Sequence, residues 1–163
     1  MSPHPFAELP LNGIFDDGGA VEGNTRHRGT ETLNRYDLCD RTIVVTGGAG
    51  GIGVECAALL LAGGAHVHLV DLRQDALTAA ADRLGDGAGR LSTHISALDG
   101  PAACAAAIDS AGGKPDGLVH LAGLFEPDPF DPAVQDVWDR AIRVNRKSAY
   151  DMAVAFDRSR VKG

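Results

Sequence analysis

The chain has 163 residues, with 15 Lys and Arg against 22 Asp and Glu for a formal net charge of −7, and a pI near 5.2. That length suits one domain with a sizeable core, because chains near 150 residues bury roughly 70% of their unfolded surface. The acidic balance, with no basic stripe, argues against a nucleic-acid partner, and no run nears the roughly eighteen apolar residues a membrane span needs.

The N-terminal segment MSPHPFAELPLNGIF lacks the basic and apolar regions of a secretory signal, so a cytoplasmic location is expected. Residues 1–35 carry Pro3, Pro5, Pro10 and five glycines without sustained periodicity, and read as a flexible N-terminal extension. Phe6, Leu9, Leu11, Ile14 and Phe15 are its apolar residues. The folded domain is placed at 36–163.

Within it, the β-branched run Thr42 to Thr46 predicts a buried strand, and TGGAGGIG (Thr46 to Gly53) leads from it into a helix over Gly51 to Ala62. Ile52, Cys56, Leu59 and Leu60 lie at helical spacing there, and Gly63-Gly64 offers the left-handed cap. A second strand, His66 to Asp71, precedes a helix at Gln74 to Leu84. A third strand, Leu91 to Ile95, precedes a helix from Pro101 to about Ala111, with Pro101 at N1. Gly117 to Leu121 is the fourth strand, and a last helix runs from about Pro132 to Arg158. Cys39, Cys56 and Cys104 are odd in number and widely spaced, and read as free thiols or small buried hydrophobes in a reducing compartment.

Strand and helix alternate throughout. This predicts a Rossmann-type doubly wound parallel sheet, four strands in order 3-2-1-4, with the glycine turn at the switch point where such sheets bind ligands. Gly48, Gly50 and Gly53 match GxGxxG between a strand and a helix, so the turn should admit a pyrophosphate to backbone N–H groups at the helix start. Asp71 ends the second strand eighteen residues beyond Gly53, where an acid accepts hydrogen bonds from an adenosine ribose and repels a 2′-phosphate. NAD is therefore expected in preference to NADP, although Arg73 stands two positions on.

Two further clusters read as structural. His66 and His68 alternate on the second strand and offer two ligands on one side, but no third accompanies them, so a partly exposed strand start is expected and no metal. The proline-rich acidic stretch Glu126 to Asp131 reads as a solvated rim loop.

Tyr36-Asp37-Leu38, then Ile43-Val44-Val45-Thr46-Gly47-Gly48-Ala49-Gly50-Gly51-Ile52-Gly53, resembles the start of a short-chain dehydrogenase/reductase, whose TGxxxGxG pattern is matched by Thr46, Gly47, Gly51 and Gly53. The resemblance extends through Asp71 to about residue 157. Leu118-Val119-His120-Leu121-Ala122-Gly123 resembles the family's NNAG segment, with His120 and Leu121 replacing both asparagines, so asparagine support is lost while Ala122 and Gly123 are kept. Ser96 falls where many members carry an acid beside adenine. Trp138-Asp139-Arg140 followed by Val144-Asn145 resembles the long helix whose asparagine helps the proton relay, a place that Asn145 fits. The resemblance implies cofactor contacts from Thr46, Gly47, Gly51, Ile52, Gly53, Asp71, Ala122 and Gly123. It also implies hydride transfer between NAD and a small-molecule alcohol or carbonyl substrate.

The family's serine and YxxxK pair have no counterpart. Asp40 stands four residues after Tyr36 and Val154 four after Tyr150. A C-terminally truncated cofactor-binding portion, inactive alone, is therefore expected, since general acid–base catalysis usually contributes about 10²–10⁴-fold. The alternatives are a non-catalytic dinucleotide-binding or interaction module and a subunit completed by another chain. With four strands the apolar Gly117 to Leu121 edge is left open, so self-association is expected there.

Overall fold

The strand Thr42–Thr46 (β1) is built from β-branched residues, and its last four are buried. A computed structural model describes residues 37–85, 87–127 and 136–161. After β1 come α1 (Gly51–Ala62), β2 (His66–Asp71), α2 (Gln74–Leu84), β3 (Leu91–Ile95), α3 (Pro101–Asp109) and β4 (Gly117–His120). A last helical stretch comprises α4 (Asp136–Ile142), a π-helical segment (Arg143–Lys147) and α5 (Ser148–Val161). The four strands form one parallel sheet in the order β3-β2-β1-β4, as the alternation predicts. The expectations for residues 1–35, Tyr36, the end of the rim loop and the start of the last helix at Pro132 lie outside the described residues.

Alternate side chains of the strands serve two apolar layers. Ile43, Val45, Val67 and Leu69 pack with Val54, Ala57 and Leu61 of α1 and Leu77 and Ala80 of α2. On the other face Val44 and Val70 pack with Cys104, Ala107 and Ile108 of α3 and Met152 of α5. Both layers are needed because β1 and β2 are buried on both faces, the usual state of central parallel strands. The edges are more exposed: β3 shows Ser92, Thr93 and Ile95 to solvent, and every residue of β4 is half-buried. At the lower end of β1, Asp116 accepts from Thr42 N (2.9 Å) and Arg41 Nη1 (2.9 Å). Those bonds hold its carboxyl below the usual carboxylate range.

The helices add detail that spacing does not carry, and the expectation for His68 needs correction. The inward face of α1 is Gly53, Val54, Ala57 and Leu61, whereas Ile52 and Leu59 are exposed at 76% and 64%. Close helix–strand packing selects the small residues Gly53 and Ala57, and the larger side chains turn outward. The last helix is not uniform, because Ser148 N–H bonds to Arg143 O, five residues back, and this inserts the π turn. His68 is not at an exposed strand start: it is buried, while His66 is exposed. Its Nδ1 lies 2.7 Å from Ser92 Oγ and its Nε2 2.9 Å from Ser110 Oγ. Among the described residues no group of three or more His, Cys, Asp or Glu is placed to hold a metal, and no helix is long and apolar enough to cross a membrane. Cys39 is exposed, Cys56 half-buried and Cys104 buried, and none is in a disulfide.

Two outcomes follow. A Cβ at Gly53 would collide with the carbonyl oxygen of Gly47. Gly53→Ala should therefore destabilise the fold by about 1–3 kcal/mol, the usual penalty of overpacking, measured by urea denaturation. Burial pushes the pKa of His68 down from 6.5 to about 4, with His94 nearby contributing. Since the folded state favours the neutral ring, its stabilising contribution is full above pH 6.5 and is lost as pH falls toward about 4. The loss is at most ~3 kcal/mol. Denaturation midpoints measured across that range should slope downward toward acid, and His68→Gln should flatten much of the slope.

Candidate functional site

The C-terminal ends of the strands converge on a cleft of about 460 Å³. Its walls come from the glycine turn (Gly47, Gly50), the end of β2 (Asp71, Leu72), the segment after β3 (Ser96, Ala97, Leu98) and the segment after β4 (Leu121 to Leu124). Glu126, Arg140 and Val144 close it on the remaining side, where Arg140 Nε donates to Glu126 Oε2 at 2.8 Å.

Backbone lies directly on backbone at the base of the cleft. Gly47 has φ +64°, and a Cβ there would sit 2.7 Å from Leu121 O and Ala122 N, so only glycine fits. Gly51 is the opposite case: a Cβ built on it meets nothing within 4 Å, because that side is open. After the turn closed by Gly50 N to Gly47 O (3.0 Å), the first helical hydrogen bond is Val54 N to Gly50 O (2.9 Å), and the N-cap Gly50 supplies no side chain. The leading N–H groups of α1 therefore point to an open surface, the arrangement that receives an anion. Ile52, exposed beside them, presents an apolar side chain at the same end of the helix.

Thr46 is fully buried and joins turn to wall. Its Oγ1 accepts from Leu121 N (3.2 Å) and Ala122 N (3.3 Å), and the Leu121 N–H is shared with Thr46 O at 3.0 Å. His120 stands beside it, with Nδ1 2.8 Å from Thr46 Oγ1 and Nε2 3.2 Å from Ser148 Oγ. Side-chain support at this position is therefore supplied by an imidazole. Burial pushes the His120 pKa below 6.5.

Asp71 is half-buried with its carboxylate turned back onto the turn. Oδ2 accepts from Ala49 N at 3.1 Å, and Oδ1 from Leu72 N at 2.8 Å and Arg73 N at 3.4 Å. A carboxylate offers about four acceptor positions, so capacity remains on the cleft side. The Arg73 guanidinium pairs instead with Asp75 at 3.5 Å, both exposed. Ser96 accepts from Leu98 N at 3.2 Å, shaping a turn in which Leu98 has φ +50°.

Asn145 lies in the π segment and grips the wall: Oδ1 accepts from Leu124 N at 2.6 Å and Nδ2 donates to Leu124 O at 2.8 Å. A Cβ at Gly123 would meet that Oδ1 at 3.3 Å. Thr46, Gly47, Asp71, Ala122 and Gly123 thus surround one cleft, with Gly51, Ile52 and Gly53 at its helix end and Asn145 behind its wall. The rim position of Glu126 was read from sequence, and Arg140 as part of the last helix, but their pairing across the cleft, the place of Ser148 and the bridging role of His120 were not. The His120 signal was the replacement in the NNAG-like segment, whereas the pairing and Ser148 carry no local signature. Tyr150 is elsewhere, 69% exposed on a groove between α3 and α5 with Asp109 and Arg158.

The residues present fit a dinucleotide by their open helix start, the bare Gly51 and the carboxylate across the cleft. A family model described as short chain dehydrogenase matches residues 41–162. The short chain dehydrogenase/reductase dpmpG of Macrophomina phaseolina (strain MS6) is 38% identical over 71% of this chain and 67% of its own length. An NAD-dependent glycerol dehydrogenase of Listeria innocua serovar 6a is 28% identical over 77% of this chain and 50% of its own. The solved short-chain type dehydrogenase/reductase from Mycobacterium ulcerans superposes with a TM-score of 0.71 at 30% identity, covering 78% of this chain and 49% of that one. The chain thus spans about half to two thirds of the length of these relatives. On the match of the family model and the 38% identity, the chain belongs to the short-chain dehydrogenase/reductase family.

Proposed function

We propose that these residues bind NAD in preference to NADP, and form the cofactor-binding portion of an oxidoreductase that moves a hydride between NAD and an alcohol or carbonyl. The observation that carries this is the placement of Asp71 and the open start of α1 on one cleft. The pyrophosphate would lie against the N–H groups at Gly51 and Ile52, and the adenosine ribose against Asp71. A 2′-phosphate there would meet the Asp71 carboxylate, while the nearest guanidinium, Arg73, is paired with Asp75. Ala122 and Gly123 would give the nicotinamide end a wall without bulky side chains. When bound, the dinucleotide supplies the hydride acceptor or donor.

Proton transfer is a separate matter. Tyr150 does not line the cleft, and neither tyrosine has a lysine four residues on. Asn145 holds Leu124 with both polar atoms, so its action is to fix the wall. We infer that turnover needs a serine and a tyrosine–lysine pair from outside these 163 residues, and that the chain alone is inactive. The rival is a dinucleotide-binding module without catalysis. The half-buried β4, paired only with β1 among the described strands, is the edge through which copies would associate.

Calorimetric titration tests the cofactor reading. NAD should bind at millimolar concentration or below and more tightly than NADP, with no turnover of alcohols or carbonyls. Asp71→Ala should weaken NAD about tenfold, in keeping with loss of hydrogen bonds to a charged acceptor, and narrow the gap between the cofactors. A folded chain that binds neither dinucleotide would overturn the reading.

A further inference from the structure

The hydrogen-bond partners behind the cleft wall favour one arrangement of protons. Thr46 Oγ1 receives the Leu121 and Ala122 amides, which fills its two lone pairs, so its single hydrogen is left for His120 Nδ1 at 2.8 Å. Ser148 Oγ donates to the Val144 carbonyl and is therefore an acceptor toward His120 Nε2 at 3.2 Å. This arrangement makes the ring neutral, with its hydrogen on Nε2. A path of donors results: Thr46 to His120, His120 to Ser148, and Ser148 to the carbonyl of Val144 in the π segment.

We propose that His120, as this neutral tautomer, is a positioning residue for the dinucleotide site: it orients the Thr46 hydroxyl that clamps Leu121 and Ala122, and ties that wall to α5. The proposal rests on the dinucleotide reading above. It goes further by placing the control of the wall in a titratable ring. Protonation at Nδ1 would set two hydrogens against each other between the ring and Thr46 Oγ1. Relief requires Thr46 to turn its own hydrogen away and accept from the ring, which displaces an amide. The wall then loosens where the cofactor must lie.

The surroundings leave this proton to the solvent. Across the sheet, His120 is in register with Thr46, Val70 and His94, and β2 adds His68 on the same face. From α5 come Ser148 and, a turn further on, Asp151, which is already paired with Lys147 at the end of the π segment at 2.5 Å. From α3 comes Cys104, its thiol pushed up to about 11 and so uncharged. Glu126 and Arg140 at the rim are likewise paired. No unpaired carboxylate stands in this group to hold a proton on His120.

The test is calorimetric titration of the 163-residue chain with NAD at pH 8 and at pH 5.5, folding at each pH being checked by circular dichroism. The parent should bind more weakly at the lower pH, by less than about tenfold, because burial holds the His120 pKa below 6.5 and leaves part of the rings neutral there. His120→Asn keeps a donor and an acceptor but does not titrate; it should bind within a few-fold of the parent at pH 8 and lose the pH dependence. His120→Phe should bind about tenfold more weakly at both values. In the parent, ¹⁵N spectra of the imidazole should show the hydrogen on Nε2. A hydrogen on Nδ1, a folded His120→Phe that binds as tightly as the parent, or a His120→Asn that keeps the parent's pH slope would overturn the proposal. A parent that binds no NAD sinks the positioning role together with the proposed function. That failure is distinguishable, because the tautomer would still be seen on Nε2 with no affinity to modulate.

Discussion

The fold depends on a contact between bare backbones. Gly47 lies against the peptide joining Leu121 and Ala122, and Gly53 lies against the carbonyl of Gly47, at distances where no Cβ can stand. The first contact draws the end of β4 over the turn, and the second draws α1 onto it. Everything that makes the cleft, from the register of β4 beside β1 to the direction of the leading N–H groups, is set by these two approaches. Side chains then secure what the backbone arrangement requires: Thr46 holds the β4 side and Asp71 the turn itself, through Ala49.

On the opposite sheet face the same device is used twice. His68 reaches Ser92 on β3 and Ser110 beyond α3, while His120 reaches Thr46 on β1 and Ser148 on α5. Each helix-side serine donates to a carbonyl of its own helical turn, Ala107 or Val144, which makes it an acceptor for a ring N–H. A neutral imidazole suits this duty because one nitrogen donates and the other accepts. Burial disfavours its charged form, so both bridges are strongest where the rings are neutral. The α3 and α5 layer is thus joined to the sheet by apolar packing reinforced at two polar points.

Much of this architecture was legible in the sequence, for physical reasons. Short β-branched runs bounded by glycine admit few readings, and right-handed crossovers leave one strand order once the elements are fixed. The position of Asp71 follows from strand length alone. Less was legible wherever the outcome depended on neighbours distant in the chain. Ile52, Cys56, Leu59 and Leu60 lie at helical spacing along α1, but spacing carries no information on how near the strand lies, and nearness selected Gly53 and Ala57 for the inward face. The burial of His68 requires Ser92 and Ser110 from two other elements, and the π turn requires a hydrogen bond shifted by one residue. Neither leaves a local pattern.

The segment His120 to Leu124 shows why two side-chain replacements in the cleft wall are compatible with the fold. Its contacts toward the turn are amide hydrogens at Leu121 and Ala122, which any residue but proline provides. Small side chains are needed only where the wall faces inward, and Ala122 and Gly123 supply them. At position 120 the demand is for a group that accepts from Thr46 and donates toward α5, and an imidazole does both across a longer span than an amide. Leu121, 37% exposed at the cleft, then adds apolar surface. Asn145, anchored in the π turn, holds the far end at Leu124. The wall is therefore fixed from both ends by α5 and the segment before it, and its shape depends on how that last helix sits on the sheet more than on the side chains the wall itself displays.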